Sequence, residues 1–134
     1  MPTTSSYDYA VIRVVPRVER EEFLNVGVIL FCKDHDYIKA RIEVDESRLR
    51  ALYPGVDMPG LTAHLDAIEA VARGGDDAGP IGRLPRRDRF LILVAPRSTI
   101  IQVSPVHTGF CSDPDRALER LMDQMVRLGP PTES

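Results

Sequence analysis

The sequence predicts a single compact α+β domain, with a mostly antiparallel four-stranded sheet packed by three to five helices. Three observations carry this expectation. Strand-like runs crowd the first third of the chain and are joined by short polar links. Helical apolar stripes then follow one another instead of alternating with strands, which speaks against a doubly wound parallel sheet. The length, 134 residues, suits one domain that buries a core without disulfide or metal staples.

Residues 7–15, YDYAVIRVV, are β-branched and aromatic and stop at Pro16, the pattern of a strand. Both faces are largely apolar, which places the strand centrally. Arg13 is the exception, on the same side as Tyr9 and Val11. NVGVILFC, 25–32, is a second strand of the same kind, and KDHD at 33–36 is a polar turn. YIKARIEV, 37–44, alternates: Ile38, Ala40, Ile42 and Val44 fall on one face, Tyr37, Lys39, Arg41 and Glu43 on the other. That is a half-exposed strand, and the short link makes it an antiparallel hairpin with its predecessor.

Helical signals come next. Asp45 caps ESRLRALY, which Pro54-Gly55 stops. A longer helix over about 59–73 carries the stripe Leu61, Leu65, Ile68 and Val71, and GGDDAGP at 74–80 reads as a mobile loop. Residues 85–95 fit a strand by the run FLILV and a helix by Pro85 followed by charged residues. STIIQV, 98–103, is a strand. Ser112 or Asp113 caps the last helix, Pro114 fits its first turn, Leu118, Leu121, Met122 and Met125 form its stripe, and Gly129-Pro130 ends it. The ordered core is expected at about 7–128, with flexible tails at 1–6 and 129–134.

The net charge of −3 argues against bulk attraction to nucleic acid or to an anionic membrane. Stacking aromatics are scarce, which lowers single-stranded nucleic-acid binding further. No run is long enough for a membrane span, and the start MPTTSSYDY lacks the basic-then-apolar pattern of a signal peptide. With only Cys32 and Cys111, no disulfide framework is expected, and the chain reads as cytoplasmic. Fifteen of the seventeen basic residues are arginine. A GC-rich genome accounts for such a bias, but the guanidinium fork also holds carboxylates and phosphates bidentately.

Catalytic templates fit poorly. The run QVSPVHTGFC, 102–111, sets Ser104 three residues from His107, the spacing of neither a glycine-flanked nucleophile elbow nor a complete triad. It reads first as a turn at Pro105 and Gly109 and second as a ligand-contact loop. The three histidines, His35, His64 and His107, sit on separate elements without metal-ligand spacing, so no metal is expected, and no phosphate-cradling loop points to a nucleotide cofactor. The acids at 19–22, Asp34 and Asp36 read as solvated faces. Arg83, Arg86, Arg87, Arg89 and Arg97 form a basic stretch. If 86–90 opens a helix, Arg86 and Arg89 share a side and could hold an anion.

An arginine inside an apolar strand needs a partner or solvent. Arg13, together with Asn25, Arg17, Arg97 and His107, is therefore a candidate polar pocket at one end of the sheet, to which Ser104 and Thr108 of the loop add hydroxyls.

Two stretches, 7–32 and 95–114, carry a resemblance. Tyr7, Arg13, Pro16, Arg17, Glu21, Asn25, Gly27, Pro96, Arg97, Ser98, Ser104, Pro105, His107, Thr108 and Gly109 make the chain similar to the bacterial domain of unknown function 3037 family. The resemblance covers nearly the whole chain and implies a small stand-alone bacterial protein, with no established activity, cofactor or catalytic residue. It also implies a neighbouring HipA-type kinase-like protein as a partner. Two functions follow as expectations. The first is a non-enzymatic binding or accessory module working with that partner. The second is a small enzyme or ligand-binding protein that handles an anionic phosphate or carboxylate compound through an Arg/His pocket.

Overall fold

A computed structural model describes residues 4–96 and 99–128. Its centre is a five-stranded, wholly antiparallel sheet in which β1 (Ser5–Val14), β2 (Leu24–Cys32) and β3 (Tyr37–Ile42) form a meander. The remaining edge of β1 is shared by two short strands, β4 (Ile101–Val103) against Ile12–Val14 and β5 (His107–Cys111) against Ser5–Tyr9. β1 is therefore central, as its two apolar faces predict.

Helices cover both faces. α1 (Glu46–Leu52), α2 (Met58–Arg73) and α3 (Arg86–Leu93) lie on one side, over Ile12, Val14, Leu24, Val26 and Ile29. α4 (Pro114–Met125) lies on the other, over Tyr7, Val28, Leu30, Cys32 and Cys111. Asp45, Asp57 and Asp113 cap α1, α2 and α4 through their carboxylates, satisfying amide groups that a helix start leaves unpaired.

A bulge in β2 sets which residues meet. Ile12 pairs with Gly27 but Arg13 pairs with Asn25, so Val26 is an extra residue. The insertion flips the strand, and Val26 and Ile29 both enter the core beneath α2. Gly27 is required there, because a Cβ would stand 2.5 Å from the Arg41 carbonyl oxygen.

Several expectations need correction. The sheet has a fifth strand: residues 107–111, read as a loop with a turn at Gly109, pair with β1. Gly109 sits mid-strand, where a Cβ would lie 2.5 Å from the Tyr7 ring. Polar residues and glycine hide a strand whose pairing comes entirely from β1. Residues 85–95 resolve as the helix α3. The segment 74–80 is not a plain loop, since Asp76–Arg83 forms 3-10 turns kinked at Gly79. Of the strand expected over 98–103, Ser98 lies outside the described residues, Thr99 and Ile100 are not strand, and Ile101–Val103 is. Ser5 and Ser6 belong to β1 and not to a tail. The expected end of the last helix at Gly129-Pro130, and the tail residues 1–3 and 129–134, lie outside the described residues.

Candidate functional site

Alternation along β1 puts Tyr7, Tyr9, Val11 and Arg13 on the α4 side of the sheet. Their neighbours across the shared edge are Gly109, His107, Ser104 and Gln102. The polar residues singled out in three separate stretches thus line one row on one face, beside α4.

At the open end of that row, Arg13 stands between Asn25 on β2 and Gln102 on β4. Its guanidinium carbon lies 4.2 Å from the centre of the Phe23 ring, a cation–π contact. Asn25 donates its amide to the Met125 carbonyl at 3.0 Å, and Arg48 donates to the Val126 carbonyl at 3.3 Å. These bonds tie β2 and α1 to the last turn of α4, where helix carbonyls otherwise go unpaired. Among the described residues two buried side-chain atoms remain without a partner: Nε of Arg13, a donor, and Oδ1 of Asn25, an acceptor. Among the described residues no carboxylate pairs with Arg13.

The other expected site residues are placed differently. Ser104 is buried, and its hydroxyl is fully engaged. It accepts from the Val11 amide at 2.8 Å and donates to the Pro105 carbonyl at 2.9 Å. It takes the ladder position that β4 vacates as the chain turns off at Pro105. His107 is exposed and lies against Tyr9, ring centres 5.4 Å apart. It sits four residues along the row from Arg13, roughly 13 Å at strand spacing. Thr108 points to the opposite face and donates to Asp8 at 2.9 Å. Arg17 is at the surface, paired with Glu19, whose carboxyl is held below its ordinary value by a backbone hydrogen bond and by Arg17. Arg97 lies outside the described residues.

The Arg86–Arg89 anion pair is not formed. Arg89 turns inward, buried, and donates to the carbonyls of Leu84, Val71 and Ala72. It closes the end of α2 in place of binding an anion; burial, with Arg86 nearby, lowers its pKa. Arg83 pairs with Asp76. Among the described residues no three His, Cys, Asp or Glu side chains gather as a metal site, and no helix is long and apolar enough to cross a membrane.

The outward face of β3 is also more occupied than alternation suggests. Tyr37 donates to Asp115 at 2.7 Å, Arg41 pairs with Glu119, and Arg127 joins Glu43, Glu119 and Asp123. Burial, then the Asp115 bond, raises the Tyr37 phenol. This polar lattice fixes α4 over the sheet and thereby sets the wall beside Arg13.

The row from Tyr7 to Arg13 and its partners on β2, β4 and β5 falls within the span 9–126 except at Tyr7, and over that span the chain matches the model for Protein of unknown function (DUF3037). The chain belongs to this family. No curated protein and no solved structure matches it. The DUF3037 match joins residues that are remote in sequence but adjacent on the sheet, notably Arg13 with Asn25 and Val11 with Ser104.

The sequence reading missed Phe23, Gln102 and Arg48. A cross-strand partner is legible only once register is known, and the bulge at Val26 shifts that register by one residue.

Proposed function

We propose that this DUF3037 chain is a non-catalytic binding module that takes up an anionic group at Arg13, with the kinase-like protein implied by the family resemblance as its partner. The observation carrying the reading is the Arg13 guanidinium, which among the described residues has no carboxylate partner, lies over Phe23 and is flanked by Asn25 and Gln102 at the end of the sheet beside α4. A guanidinium without a carboxylate partner, half-withdrawn from water, is a strong receptor for an oxyanion.

Three features speak for binding over catalysis. Ser104, three residues before His107, has its hydroxyl bound on both sides by backbone. Cys111 is buried, and burial, with Cys32 beside it, raises its thiol pKa, the reverse of an activated nucleophile. His107 lies tilted against Tyr9 and is removed from Arg13 along the row.

The test is a ligand titration followed by NMR on the Arg13 side-chain N–H. An anion should shift that resonance in the parent chain and in His107→Ala, and Arg13→Gln should lose binding. Loss of binding in His107→Ala would favour the Arg/His pocket of a small enzyme. Co-purification with the kinase-like protein tests the partner; absence of a complex at micromolar concentrations would remove it.

A further inference from the structure

We infer that the group bound at Arg13 is a carboxylate with an N–H donor on the adjacent carbon, the pattern of an α-amino acid or of the last residue of a peptide. This rests on the anion-binding reading and narrows it.

The chemistry of the unpartnered atoms points this way. Arg13 offers an unused donor at Nε and Asn25 an unused acceptor at Oδ1, on directly paired residues of β1 and β2. A fully deprotonated oxyanion such as acetate or sulfate answers only the first, because it has no hydrogen to give Asn25. The Asn25 amide cannot turn over to present a donor instead, since its nitrogen already donates to the Met125 carbonyl. The complementary ligand therefore brings an acceptor and a donor side by side.

Charge selects further. Among the described residues neither Arg13 nor Arg48 has a carboxylate partner, but Arg48 is engaged with the Val126 carbonyl, so Arg13 is the cation left for a ligand, with the C-terminal end of α4 beside it. That end carries partial negative charge, which disfavours a doubly charged phosphate and favours an N–H. A carboxylate on the guanidinium fork, with its neighbouring N–H toward Asn25 and the helix end, meets both conditions. Arg13 and Asn25 are each half-buried while Nε and Oδ1 themselves are buried, so binding requires the two side chains to turn these atoms toward the incoming group.

The experiment titrates the full chain with five probes, following the side-chain N–H signals of Arg13 and Asn25 by NMR. The probes are N-acetylglycine, glycine, acetate, glycinamide and inorganic phosphate. N-acetylglycine or glycine should bind at least about tenfold more tightly than acetate, the worth of one hydrogen bond to a polar buried partner. Glycinamide, which lacks the carboxylate, should not bind. Preference for N-acetylglycine identifies a peptide terminus as the source, and preference for glycine a free amino acid.

Asn25→Ala should reduce these ligands to the affinity of acetate while leaving acetate unchanged. Arg13→Lys, which keeps the charge but not the fork, should weaken all carboxylates. Equal binding of acetate, N-acetylglycine and glycine would overturn the inference and leave anion binding standing. No Arg13 response to any of these carboxylates or to inorganic phosphate would overturn both. A ligand-free crystal structure with Arg13 Nε bonded directly to Asn25 Oδ1 would also remove the basis for this ligand class.

Discussion

Replacing Ser104 by alanine separates an architectural hydroxyl from a chemical one. The substitution deletes a single oxygen from a residue 4% exposed, so the loss of packing is small. The hydroxyl is the acceptor for the Val11 amide, which lies in the central strand where water cannot replace it. Leaving that donor unpaired costs about 1–3 kcal/mol. The bond to the Pro105 carbonyl is only part-buried and adds about 0.5–1 kcal/mol. The expected total is about 1.5–4 kcal/mol. With a urea slope near 2 kcal/mol/M, the midpoint should fall by about 0.8–2 M. Equilibrium urea unfolding by circular dichroism measures it. Thr108→Val is the control, because its bond to Asp8 is solvent-exposed and its removal should move the midpoint by less than about 0.3 M. An unchanged midpoint in Ser104→Ala would refute the assignment, as would lost ligand binding at unchanged stability.

Other consequences follow from the same geometry. Arg89→Leu leaves the carbonyls of Leu84, Val71 and Ala72 without their donor, and should lower stability by about 2–4 kcal/mol, visible as a large drop in the thermal midpoint. Gly27→Ala sets a Cβ against a backbone oxygen that cannot yield and should cost about 2 kcal/mol or more by denaturant titration. Glu43 is held below its ordinary value of 4.5 chiefly by its hydrogen bonds from Arg127, so the unfolded chain takes up its proton more readily. Its contribution is complete above about pH 5 and disappears as pH falls through the lowered native value. Glu43→Gln should therefore flatten the acid limb of a stability-against-pH curve; an unaltered limb contradicts the pairing. His107→Ala removes one exposed ring contact and should change stability by less than about 1 kcal/mol.

Much of the fold was legible in the residues because the signals were local. The hairpin of β2 and β3 follows from period-two alternation and a short polar link. The caps Asp45 and Asp113 announce their helices because a carboxylate before a helix answers its free amides. β5 gave no such sign. His107, Thr108 and Gly109 have neither apolar alternation nor β-branched mass. The strand exists because β1 offers an unpaired edge, and Gly109 lets the Tyr7 ring lie over it. α3 was ambiguous for a related reason: Phe90 and Leu93 enter the core beneath the sheet, while Arg89 is drawn inward by carbonyls of α2.

For the candidate site, the sequence by itself singled out Arg13 and Asn25, since a charged and a polar side chain within apolar strands demand an explanation. It also pointed to the family and to the order of the elements apart from α3 and β5. Only the tertiary structure decided what those residues meet. The bulge at Val26 pairs Arg13 with Asn25, Phe23 stacks beneath the guanidinium, and the end of α4 comes to rest beside them. It also separated Arg17, Thr108 and the hydroxyl of Ser104 from Arg13, because strand register and sheet face are set by pairing across the chain and not by distance along it.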